Sequence, residues 1–75
     1  MIHPYKINSK EDLMRLCELA SKEDFPVYIS TQYGQLDARS VLSLFTIMGQ
    51  EINLVAGDHV CPKEFVNFVN KLESV

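Results

Sequence analysis

The sequence predicts an α+β open-faced sandwich, a four-stranded antiparallel sheet in the order 1-4-2-3 with three helices on one face, built as one domain over residues 1–75. Three observations lead to it. Apolar residues alternate between the two-residue period of strands and the 3.6-residue period of helices, giving the order strand, helix, strand, strand, helix, strand, helix. The strands are apolar on one side only, as in a sheet with one covered and one wet face. Helix-starting residues stand ahead of each helical stretch: Asn8 or Ser9, Asp37 or Ser40, and Pro62.

His3 to Ile7 reads as the first strand, with His3, Tyr5 and Ile7 on one side; Pro4, lacking an N–H, confines it to a sheet edge. Asn8 and Ser9, followed by Glu11 and Asp12, form a capping-box pattern with acidic side chains at the positive end of the helix dipole. Leu13, Leu16, Cys17 and Ala20 then recur at helical spacing to Lys22. Val27 and Ile29 alternate with Tyr28 and Ser30 in the second strand, Gln32, Tyr33 and Gly34 form a turn, and Gln35 to Ala38 return with Leu36 and Ala38 inward. A nearly all-apolar helix is expected over residues 41–48, ended by Gly49 in a left-handed cap. Glu51 to Ala56 is the fourth strand, with Ile52, Leu54 and Ala56 inward. Pro62 opens a final helix whose core face is Phe65, Phe68, Val69 and Leu72. Tyr28, Ser30, Gln35, Glu51 and Asn53 suit the open face of the sheet.

Composition removes several function classes. A domain of 75 residues buries only about 60% of its unfolded surface, which leaves little room for a deep catalytic cleft. The net charge of −3, with no basic cluster, argues against nucleic-acid or anionic-membrane partners. No apolar run is long enough to span a bilayer and no secretion signal is evident, so a cytoplasmic protein with reduced, structural Cys17 and Cys61 is expected. His59 and Cys61 lack a second pair of ligands at suitable spacing, so no metal and no cofactor are expected; Cys61 reads as a helix-capping or buried thiol. His3, in a strand, reads as structural. Phe65 and Phe68 read as core residues rather than a ligand box.

Residues 37–45, Asp-Ala-Arg-Ser-Val-Leu-Ser-Leu-Phe, resemble the regulatory-serine segment of the phosphocarrier protein HPr family, Asn-Ala-Lys-Ser-Ile-Met-Gly-Leu-Met, and Gln50-Glu51-Ile52 resembles that family's Asp-Glu-Ile. The element order is similar along the whole chain. The resemblance implies an HPr-like open-faced sandwich, a regulatory phosphorylation site at Ser40, and a docking patch of Arg39, Val41, Leu42 and Phe45. It also implies protein partners such as an HPr kinase/phosphorylase or a transcriptional regulator. The departures are as informative. The family's Gly-Leu-His-Ala-Arg-Pro phosphotransfer loop falls near Asn8 to Asp12, where this chain has Asn-Ser-Lys-Glu-Asp and neither the histidine nor the arginine. Ser43 stands where a glycine is usual.

A phosphoryl-accepting imidazole at a helix N-terminus needs nearby N–H groups and a cation to hold the transferred charge. Ser9 has no neighbouring base, and Glu11 and Asp12 repel a phosphoryl group. The reading is therefore a regulatory or binding domain related to the sugar phosphotransferase system, not an enzyme and without histidine phosphocarrier activity. The alternatives are a small structural or interaction domain sharing only the fold, with Ser40 a plain helix cap, or a phosphocarrier using another residue. If Leu44, Ile47 and Met48 turn inward, Val41, Leu42 and Phe45 cannot all be buried, and the exposed ones form a patch for self-association or a regulatory protein.

Overall fold

A computed structural model describes residues 1–74. The elements are β1 (Ile2–Lys6), α1 (Lys10–Lys22), β2 (Tyr28–Thr31), β3 (Gly34–Asp37), α2 (Val41–Phe45), β4 (Glu51–Val55) and α3 (Pro62–Glu73). The strands form one antiparallel sheet in the order β1-β4-β2-β3, as the sequence predicts.

The register sorts residues onto two faces. His3 lies opposite Leu54, Leu54 opposite Ile29, and Ile29 opposite Leu36, forming a row toward the helices; Pro4, Asn53, Ser30 and Gln35 form the next row, on the open side. Because side chains alternate faces, a slip of one residue would drive Asn53 into the core, so the pattern holds the register. Beneath the inner row, Leu13, Leu16, Leu44, Phe65, Val69 and Leu72 are buried, and α1 packs against both α2 and α3. Phe68 is fully buried and meets Phe25 edge to face at 6.5 Å, so Phe65 and Phe68 are core residues.

The Ser9 Oγ accepts from the Asp12 N–H at 3.2 Å, and Asp12 Oδ2 accepts from the Asn8 N–H at 3.3 Å, which satisfies two free donors at the start of α1. The Arg15 guanidinium donates to the Lys71 carbonyl at 2.8 Å and to the Ser74 carbonyl, tying α1 to the last turn of α3. Cys61, expected as a capping or buried thiol, holds the N-cap position of α3 but is exposed and makes no side-chain capping bond. A thiol accepts hydrogen bonds poorly, and Pro62 starts the helix by its fixed φ without needing a cap for its own nitrogen. Cys17 is half-buried.

Strand ends shift by a residue, as in β1, which is Ile2–Lys6 rather than residues 3–7, and two boundaries near the site move with a clear physical cause. Thr31 pairs directly with Gly34, so the hairpin loop is only Gln32 and Tyr33, and Gly34 opens β3 with φ of 136° rather than ending the turn. The Thr31 hydroxyl donates to the Gly34 carbonyl at 2.9 Å and accepts from the Tyr33 N–H at 3.1 Å, satisfying the turn from its own side chain. The helix expected over residues 41–48 stops at Phe45. From there the chain tightens: the Thr46 N–H bonds the Ser43 carbonyl, the Ile47 N–H the Leu44 carbonyl, and the Thr46 hydroxyl competes for the Ser43 carbonyl at 2.6 Å. Gly49, at φ 85°, then turns its N–H to the Ile7 carbonyl at 2.8 Å, pulling the chain back toward the sheet.

Candidate functional site

The segment between β3 and α2 is fixed at several points. The Ala38 N–H donates to the Val27 carbonyl at 3.0 Å, the Ser40 N–H to the Asp37 carbonyl at 3.1 Å, and the Cys17 thiol of α1 to the Arg39 carbonyl at 3.2 Å. Ala38 is fully buried, so the chain is nailed down beside Arg39 and Ser40 while Arg39 stays exposed.

Ser40 is the N-cap of α2: its Oγ accepts from the Ser43 N–H at 3.4 Å and donates to the Ser43 Oγ at 3.0 Å. Ser43, standing where the resembling family has glycine, therefore partners the Ser40 hydroxyl directly. Asp37, read from the sequence both as a residue of the third strand and as a helix-starting type, ends β3 and faces Arg39. Arg39 Nε donates to Asp37 Oδ1 at 3.1 Å, Nη2 to Oδ2 at 2.8 Å, and the Arg39 N–H to Oδ1 at 2.9 Å. The side-chain bonds first, then the backbone bond, hold the Asp37 carboxyl below the usual carboxylate range, while the side-chain bond and then the charge of Asp37 push the Arg39 guanidinium above its ordinary value. Arg39, expected in the docking patch, is thus engaged by Asp37. Type and spacing alone do not mark this pair, because an aspartate two residues before an arginine suits a helix start equally well.

Leu42 and Phe45 lie three residues apart on the outer face of α2, 82% and 47% exposed. Leu44 and Ile47 are buried, Met48 is half-buried, and Val41 is half-buried against the core. Of the expected patch, Leu42 and Phe45 are exposed together, Val41 turns toward the core, and Arg39 is exposed but paired with Asp37.

The start of α1, where the resembling family keeps its phosphotransfer residues, carries Asn8, Ser9 and Lys10, with Glu11 and Asp12 in the first turn. The Ser9 hydroxyl is occupied as a cap. His3 pairs with Glu73 of α3 at 3.3 Å, and the His59 ring covers Gly57, where an added Cβ would lie 2.7 Å from it. Among the described residues no three side chains of metal-ligating type gather, and no helix is long and apolar enough to cross a membrane.

Sheet order, element order and the placement of the helices define an HPr-like fold. Among solved structures, the chain is similar to HPr-C-His from Thermoanaerobacter tengcongensis, with a TM-score of 0.73 over 99% of this chain and 92% of that one at 15% sequence identity. No family model and no curated protein sequence matches the chain. At that identity the likeness concerns the fold.

Proposed function

We propose that this chain is a regulatory or binding module of HPr-like fold, related to the sugar phosphotransferase system, that docks a protein partner through Leu42 and Phe45 and has no histidine phosphocarrier activity. The observation that carries this reading is an exposed leucine and phenylalanine on one face of α2, two and five residues after its N-cap Ser40. An aromatic and an aliphatic side chain left in water together form the kind of anchor that supplies most of the energy of a small interface. Phosphorylation of Ser40 places a dianion at the start of the helix that bears the patch and changes which partners it accepts. Loss of phosphocarriage follows from the start of α1, which has two carboxylates in its first turn and neither an imidazole nor a guanidinium.

Incubation with an HPr kinase/phosphorylase and ATP, followed by intact-mass measurement, tests the regulatory half: one added phosphoryl group, absent from Ser40→Ala, is expected. Incubation with phosphoenolpyruvate and the first enzyme of the transport system tests the other half. Stoichiometric acid-labile phosphorylation there would refute it. A second reading is favoured by the bonding of Ser40, whose hydroxyl both accepts from and donates to Ser43 as a structural cap does. An unmodified chain in the kinase reaction selects that reading.

A further inference from the structure

We propose that two copies of this chain associate weakly through an antiparallel pairing of their α3 helices over the groove between β1 and α3. The groove encloses about 440 Å³ between Ile2 and His3 on one side and Pro62, Val66 and Val69 on the other. Val66 is 53% exposed, and this surface shares no residue with α2 and depends on no reading of Leu42 and Phe45.

Lys63, Val66, Asn70 and Glu73 recur along α3 at steps of three, four and three residues, which puts them in one stripe bordering the groove. Opposite charges stand at its two ends. Lys63 makes no ion pair among the described residues, and Glu73 is held in place by His3 at 3.3 Å. A two-fold axis that sets Val66 against Asn70 of a second copy sets Lys63 against Glu73 at the same time, and does so twice. A parallel pairing would instead bring Lys63 to Lys63 and Glu73 to Glu73, so charge selects the antiparallel arrangement. The helix dipoles favour the same choice.

The neighbouring strand edge offers no competing route. Met1 and Ala56 exchange both backbone hydrogen bonds, so Ile2, Pro4 and Lys6 turn their backbone groups outward, and Pro4 in the middle has no N–H to give. A second copy cannot extend the sheet there and must arrive on the helix. Exposed ion pairs fix register more than they add strength, and the apolar contact is small, so the dimer is weak and exchanges rapidly.

Sedimentation of the full chain over total concentrations on the order of 10 µM to 1 mM is expected to show a monomer–dimer equilibrium within that range. Val66→Glu, at an exposed site that leaves the fold intact by circular dichroism, is expected to give monomer throughout. Lys63→Glu and Glu73→Lys should each weaken the dimer about tenfold, and the double exchange should restore it. Phe45→Ala should leave it unchanged. A parent that stays monomeric, a dimer indifferent to Val66→Glu, a double exchange that fails to restore it, or a dimer lost on Phe45→Ala overturns the proposal.

Discussion

Arg39 closes on both oxygens of the Asp37 carboxylate, Nη2 to Oδ2 at 2.8 Å and Nε to Oδ1 at 3.1 Å, within a stretch of three residues. The lowered carboxyl pKa gives this pair a pH signature. Its contribution is present above the ordinary carboxylate range, about pH 4, and is lost as the pH falls through the lower folded-state value. Asp37→Asn should therefore lower the denaturation midpoint at neutral pH, and the gap to the parent should close in acid. Denaturant titrations at neutral pH and near pH 2 to 3 check this, and a gap of constant size would count against it.

The cap at Ser40 should respond to chemistry rather than to charge alone. Ser40→Ala removes the acceptor of the Ser43 N–H and is expected to cost about 0.5 to 2 kcal/mol. Ser40→Asp supplies another good capping acceptor and should cost less. With α2 only five residues long, the helix dipole contributes little, so the capping bond dominates. Thermal melts of the two variants decide the point: an aspartate variant less stable than the alanine one would contradict it.

Phe45 and Phe68 should behave oppositely. Phe68 is fully buried against Phe25, and its replacement by alanine is expected to cost about 3 to 5 kcal/mol. Phe45 keeps 47% of its surface in water, so Phe45→Ala should cost well under half as much while weakening partner capture. Equal losses of stability would place Phe45 in the core and remove the docking patch.

Gly49 allows the chain to leave α2 and return to the sheet. Its φ of 85° is strained for any side chain, and an added Cβ would meet nothing within 4 Å, so the whole effect of Gly49→Ala is backbone strain. About 1 to 2 kcal/mol is expected, read as a drop in Tm with an unchanged fold.

The sheet was legible because period-two alternation and the edge-seeking Pro4 fix faces and positions before any contact is known. The start of α1 was equally plain, since Ser9 and Asp12 announce a cap by type and spacing. The end of α2 was not. Composition continues apolar through Ile47 and Met48, and only the tertiary bond from the Gly49 N–H to the Ile7 carbonyl, together with the Thr46 hydroxyl's competition, stops the helix at Phe45. At the candidate site, that some of Val41, Leu42 and Phe45 stay exposed followed from helical spacing in a thin domain, but not that Val41 is the one turned inward. The clamp on Arg39 did not, because Asp37 is also a residue type that starts helices, and nothing local shows which role it takes.

The sheet order carries a consequence for the growing chain. β1 pairs only with β4, so Ile2 waits for Val55, whereas Thr31 meets Gly34 across two loop residues. Closing the long loop is entropically dearer than closing the hairpin, and β4 must be made before it can enter between β1 and β2. Of the four strands of this sheet, β1 is thus the last to be seated, and amide protection during refolding should appear in β2 and β3 before it reaches β1.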